Sequence, residues 1–169
     1  MDYHIVTTIK PLVKVRSAVE GDLPLILRFI QGLAEYEKLH DECVATEERL
    51  RATLFEEHPA AEVLIATVDE VPSGFALFFH NYSTFLAQRG IFLEDLFVIP
   101  EARGSGVGYA LLASLARIAI ERDCGRLEWN VLDWNDPAIS FYERIGAVPM
   151  DQWTTFRMTG NALGKLAKK

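Results

Sequence analysis

Along the chain, apolar residues recur with a period of two in some stretches and a period near that of a helix in others, and the switches between them lay out the elements. Lys14 to Val19 predicts a first strand. Asp22 opens a helix with Pro24 in its first turn, running to about Lys38, and the Thr46 hydroxyl caps a second helix ahead of Glu47 and Glu48. Strands follow over Glu62 to Val68, Gly74 to Asn81 and Ile91 to Val98, with Pro72-Ser73-Gly74 as the turn between the first two. Val107, Ala110, Leu111, Ser114, Leu115 and Ile118 then recur at helical spacing. Arg126 to Leu132 predicts another strand, and a strand pair near Ala147 to Thr159 closes the chain after one more helix. Strands before, between and after helices in this order predict an α/β fold, a mixed and twisted central sheet flanked by helices.

At 169 residues, half of them hydrophobic, the chain is long enough to bury one good core and too short for two ordinary domains. A single domain over 1–169 is expected, with its core at about 13–159. Met1 to Pro11 has no clear partner and Ala162 to Lys169 is a short basic tail, so both ends are expected to be loose. No basic start leads into an apolar run and no apolar stretch approaches spanning length, which points to the cytoplasm and away from a membrane. Cys43 and Cys124 are far apart in sequence and read as reduced thiols. The four histidines, His4, His40, His58 and His80, show no metal spacing, so no metal is expected. A net charge of −7, from 24 acidic against 17 basic residues, argues against nucleic acid as a partner and favours a cationic one.

The chemistry concentrates in two places. In the first, Leu96, Phe97, Val98 and Ile99 end an apolar strand, Pro100 cannot continue the ladder, and Arg103-Gly104-Ser105-Gly106-Val107-Gly108 leads into a helix. Glycines at such an entrance let backbone N–H groups turn toward an anion, and the helix N-terminus adds about half a positive charge. The dinucleotide pattern G-x-G-x-x-G fails because residue 109 is Tyr. A Walker loop fails because no Gly-Lys-Ser/Thr follows.

In the second, Val131 to Ala147, Asn135 or Asp136 caps a helix, Pro137 suits its first turn and Gly146 a left-handed stop. Asn135 and Tyr142 are seven residues apart, so they lie within about 20° of each other with about 10 Å of helix between them. One helix face thus carries an amide at its start and a phenol two turns on.

The R-x-x-G-x-G run from Arg103 to Gly108, followed by the Asn135…Phe141-Tyr142 segment, resembles the two signatures of the GNAT superfamily of N-acetyltransferases. The blocks LAEYEKL at 33–39, LEDLFV at 93–98, RGSGVG at 103–108 and LDWNDPAISFYERIGA at 132–147 are similar to the diamine N-acetyltransferase branch, the spermidine/spermine enzymes and their thialysine-acetylating relatives. The resemblance implies the GNAT fold, acetyl-CoA as cosubstrate, a small cationic amine as acceptor, and a homodimer with its sites near the subunit boundary. It places the pyrophosphate on Arg103, Gly104, Ser105, Gly106, Val107, Gly108 and Tyr109, and the acetyl group and pantetheine along Leu96, Phe97 and Val98. The cofactor arm falls on Asn135, Asp136, Pro137 and Ala138, and Tyr142 becomes the acid that protonates the leaving thiolate. Tyr36 and Glu37 border the acceptor. The aromatics between Phe75 and Phe92 supply either such an interface or the core.

Glu94 and Asp95 are adjacent carboxylates within an apolar strand, and alternation sends them to opposite faces of the sheet. An alkyl ammonium, with a pKa near 10, must lose a proton before it attacks, and Glu94 is the candidate base, directly or through a water. Asp95 reads as a structural residue or charge anchor. Gly125 to Asn130, where the resemblance implies further acceptor contacts, reads GRLEWN and gives no match that assigns it to the polyamine enzymes, whereas the Leu132-Asp133-Trp134-Asn135 spelling leans toward the thialysine type. Neither cysteine adjoins a recognisable base, so direct attack in a ternary complex is expected. A protein N-terminus or lysine as acceptor, and a non-catalytic acyl-CoA sensor, are the alternatives.

Overall fold

The computed structural model describes residues 12–168, so the expectations for Met1 to Pro11 and for His4 lie outside the described residues. The chain divides into two compact units, one ending at Asn130 and one beginning at Val131. In the first unit five strands, β1 (Val13–Ser17), β2 (Glu62–Val68), β3 (Val71–Ser83), β4 (Gln88–Val98) and β5 (Leu127–Trp129), form one sheet in sequence order. The first four pair antiparallel. β5 runs parallel to β4, with α3 (Val107–Glu121) as the crossover.

Helices α1 (Leu23–Tyr36) and α2 (Glu47–Leu54) cover one face. Ile26, Phe29 and Leu54 bury against Val63, Ile65, Phe75 and Phe97, and the Phe29 and Phe75 rings stack 5.5 Å apart. α1 starts where expected, at Asp22 with Pro24 behind it. The Asp22 carboxylate, however, accepts from the Arg16 guanidinium (2.6 and 2.8 Å) and the Val19 N–H (2.8 Å) rather than from the helix. Thr46 caps α2 as expected, its hydroxyl accepting from the Arg49 N–H at 3.3 Å. The residues that alternate with the first set, Leu64, Ala66, Ala76 and Phe78, are buried on the other face, toward Val107, Leu111 and Leu115 of α3. Of the aromatics from Phe75 onward, Phe75 and Phe78 are core, whereas Tyr82 and Phe85 are exposed.

Two expectations about connections are corrected. The β2–β3 turn is Asp69-Glu70, not Pro72-Ser73-Gly74. Both turn residues have positive φ (48° and 69°) between the paired Val68 and Val71, the backbone of a two-residue hairpin. The Pro-Ser-Gly triplet is instead a bulge inside β3, because Thr67 pairs with Pro72 and Ala66 with Gly74, leaving Ser73 as the extra residue. Gly74 then permits a close approach: a Cβ there would lie 2.6 Å from the Phe97 carbonyl and 3.0 Å from a Val107 methyl, so the start of α3 sits directly on the sheet.

The second unit holds α4 (Asp136–Arg144) and α5 (Gly160–Leu166). The strand pair expected over Ala147 to Thr159 is absent. That stretch carries no strand, Val148, Met150, Trp153 and Phe156 are exposed, and the Trp153 N–H donates to the Met150 carbonyl in a turn. Two short strands alone are marginal in water, and Pro149 removes a ladder donor. Likewise β5 keeps only three of the residues expected for it.

Candidate active site

The glycine run follows β4 directly. Ile99 leaves the strand, Pro100–Ala102 makes one short 3-10 turn, and the Ala102 carbonyl accepts from both the Ser105 N–H (3.3 Å) and the Ser105 hydroxyl (2.5 Å). Gly104 and Gly106 have φ of 79° and 92°, the left-handed region that only glycine enters freely, and open space surrounds the Cβ position of each. Gly106 is the N-cap of α3, so the N–H groups of Val107, Gly108 and Tyr109 have no acceptor within the helix and point out of its positive end. This is an anion cradle built from main chain. The Val107 side chain is 1 % exposed and belongs to the core, as does Phe97, so these two residues offer backbone alone. Tyr109 is exposed, and Leu96 and Val98 are half-buried opposite Ala76 and Gly74.

Arg103 turns back. Its Nε–H donates to the Val98 carbonyl at 3.2 Å, and its guanidinium lies 4.6 Å over the Tyr36 ring at the end of α1. Residues that the sequence assigns to the cofactor loop and to the acceptor are thus in direct contact, a link that no local pattern announces.

The carboxylates stand where β4 breaks register. Leu77 pairs with Asp95 and Phe78 with Leu93, so Glu94 is an extra residue, a bulge. An inserted residue restarts the alternation: Phe92 and Phe79 share a face, shown by rings 5.3 Å apart, and Asp95 shares that same face with Leu77. Glu94, two residues after Phe92, follows it there. The expectation that Glu94 and Asp95 point to opposite faces is therefore corrected, since both belong to the face that α1 covers. Glu94 is exposed and Asp95 half-buried. Burial, with the Glu94 and Glu37 charges beside it, pushes the Asp95 carboxyl up from an ordinary 3.8 to about 6, and burial also raises Glu37. Glu37, Glu94 and Asp95 form one negative patch facing the end of α1.

Further along that face lies a polar group, two of whose members fall in the Gly125–Asn130 stretch where the resemblance implies acceptor contacts. Glu128 of β5 pairs with Phe92 and accepts from the Asn81 amide at 2.8 Å, while the Arg126 Nε stands 2.8 Å from the same carboxylate. Gly90, between them on β4, makes room: a Cβ there would meet Asn81 Oδ1 at 2.4 Å and Arg126 Cγ at 2.9 Å. In the sequence the group is marked by the GRLEWN stretch that holds Arg126 and Glu128 and by a lone glycine inside a strand, while Asn81 carries no signal.

In the second unit, Asn135 is the N-cap of α4 and its side chain accepts from the Ala138 N–H at 3.4 Å, with Asp136 and Pro137 in the first turn. Gly146 stops the helix at φ 92°, as its position predicts, and the Ala147 N–H donates to the Tyr142 carbonyl at 3.0 Å. The Tyr142 ring lies 5.5 Å from that of Phe141. Among the described residues no group of His, Cys, Asp and Glu is arranged to hold a metal ion, both cysteines are free, and no helix is long and apolar enough to cross a membrane.

Residues 32–147 match the family model described as the acetyltransferase (GNAT) family. The thialysine N-epsilon-acetyltransferase of Bos taurus is 40% identical, over 93% of this chain and 98% of the relative. The L-ornithine N5-acetyltransferase of Arabidopsis thaliana is 32% identical over 92% of this chain and 88% of its own. Among solved structures, an integron cassette protein from the mobile metagenome of V. cholerae superposes with a TM-score of 0.77 at 32% identity, covering 93% of this chain and 98% of that one.

Proposed function

Because this chain belongs to the acetyltransferase (GNAT) family and is an N-acetyltransferase, we propose that it moves the acetyl group of acetyl-CoA to a primary amine of a small cationic acceptor, a diamine, a polyamine or a lysine-like amino acid, by direct attack in a ternary complex. The observation that carries this reading is the bulge in β4. It sets Glu94 and Asp95 on one face immediately before Leu96 to Val98, the stretch that feeds the glycine cradle, so one strand serves a cation at one point and an anion a few residues later.

The cradle fits a pyrophosphate: two left-handed glycines, unobstructed space above them and the outward N–H groups of α3. Acetyl-CoA brings the thioester, and the residues do the rest. Main-chain groups of Leu96 to Val98 run along its acyl end, Arg103 to Tyr109 hold the phosphates, and Asn135 to Ala138 hold the pantetheine arm, as the resemblance implies. Asp95 anchors the incoming ammonium, whose positive charge offsets the crowding of Glu37, Glu94 and Asp95. Glu94 takes the proton, directly or through a water, so that the amine attacks with a free lone pair. Tyr142 gives its proton to the leaving sulfur.

Incubation with acetyl-labelled acetyl-CoA, a small-amine mixture and lysate proteins together tests the acceptor class by mass spectrometry. Label is expected on a small amine. Label confined to protein N-termini or lysines would replace this reading with a protein acetyltransferase, and no transfer at all would leave a CoA-binding module.

A further inference from the structure

The last turns of α1 are held to the end of β4 along one seam. Phe29, Gly32 and Tyr36 follow one another at three and four residues, so they share a face of the helix. The Phe29 ring lies 6.2 Å from that of Phe97, and Gly32 lets the helix come down on the same ring, since a Cβ there would meet Phe97 Cζ at 2.9 Å. At Tyr36 the partner is no longer a strand residue but Arg103, which lies beyond the strand end and turns back to it. Its Nε–H donates to the Val98 carbonyl at 3.2 Å, and its guanidinium lies 4.6 Å over the ring. The Nε edge of the guanidinium is thus taken by the strand and its flat face by the helix, and among the described residues it pairs with no carboxylate.

This end of the helix needs holding. Glu37 sits at its negative pole with the Asp95 and Glu94 carboxylates nearby, and no basic residue stands in the last turn. Lys38 follows at φ 62°, a backbone conformation that is costly for any residue but glycine and persists only where its surroundings impose it. Like charge and strain therefore both act to lift the turn. Resting on the acceptor reading above, we propose that the Arg103 side chain is a positioning residue for the acceptor and not a ligand of the phosphates: it clamps the last turn of α1 to the end of β4 and so fixes Tyr36 and Glu37 beside Glu94 and Asp95. The main chain of the loop keeps the phosphates, while its arginine serves the other substrate. One residue thereby joins the cofactor cradle to the acceptor end of the site.

The test measures kcat and acceptor KM on L-ornithine, thialysine and spermidine, and acetyl-CoA affinity by calorimetry, for the intact enzyme, Arg103→Gln, Arg103→Lys, Tyr36→Leu and Arg103→Gln combined with Tyr36→Leu. Arg103→Gln is expected to raise the acceptor KM by about fivefold or more, the scale of a cation–π contact, with acetyl-CoA Kd within about twofold of the parent. Arg103→Lys, which keeps a cation but not the planar fork, recovers part of the loss. Because Arg103 acts through Tyr36, Tyr36→Leu costs less in the Arg103→Gln background than alone. Loss of acetyl-CoA affinity at an unchanged acceptor KM overturns the proposal and makes the guanidinium a phosphate ligand, and two losses that simply multiply overturn it as well. Arg103 is exposed, and should Arg103→Gln nevertheless not fold, Arg103→Lys decides: a raised acceptor KM at parental acetyl-CoA affinity supports the clamp, and an unchanged acceptor KM overturns it. No turnover of any small amine by the intact enzyme defeats the acceptor reading itself, whereas small-amine turnover with only acetyl-CoA affinity disturbed in the variants defeats this proposal alone.

Discussion

Asp95→Asn removes a negative charge from a half-buried position beside Glu94 and Glu37, and its effect on folding has a definite sign and pH range. In the fold, burial first and the two neighbouring carboxylates second raise the Asp95 carboxyl from 3.8 to about 6. Between these values the unfolded chain has released the proton and the folded chain still holds it, so the folded state binds more protons and stability falls as pH rises. Below the unfolded value no penalty exists. Above about pH 6 it is complete, and a shift of about two units at about 1.4 kcal/mol each amounts to about 3 kcal/mol. Asn cannot ionise. Urea unfolding is therefore expected to show Asp95→Asn more stable than the parent by about 2–3 kcal/mol at pH 7.5, with the difference closing as pH falls toward 4. The same substitution is expected to lower turnover, because the site keeps a charge that the fold disfavours. A variant no more stable at pH 7.5, or one whose gain is the same at both pH values, would refute the claim that this carboxylate is strained by burial.

Tyr142→Phe is expected to leave acetyl-CoA affinity nearly unchanged by calorimetry and to lower kcat by about 10²-fold, the scale of general acid catalysis; unchanged turnover removes Tyr142 from the reaction. Gly106→Val forces a β-branched residue into a backbone at φ 92° and is expected to abolish measurable acetyl-CoA binding while far-ultraviolet circular dichroism stays near that of the parent, so normal affinity would refute the cradle.

Some of this architecture is legible because it depends on local backbone chemistry. Gly104, Gly106 and Gly146 occupy left-handed positions, and Thr46 and Asn135 cap helices, because each requirement is met by a residue type within a few positions of it. What is hidden depends on partners distant in sequence. Glu94 looks like any strand residue until β3 shows that β4 carries one residue too many, and that single insertion moves a carboxylate to the other face. The Asp69-Glu70 turn was masked by the stronger breakers Pro72 and Gly74, which serve a bulge instead. The Asn81, Arg126 and Glu128 group is assembled across three strands over Gly90, and no window of sequence contains it. The alternation over Ala147 to Thr159 has the look of strands, yet without ladder partners it stays irregular.

The central claim is that a small cationic amine is acetylated, and steady-state CoA release measured across spermidine, 1,4-diaminobutane, L-ornithine, lysine, thialysine and a peptide amine tests it most directly. The account predicts saturable turnover with at least one of the small acceptors and none with the peptide. Tight acetyl-CoA binding with no turnover of any small amine would contradict it.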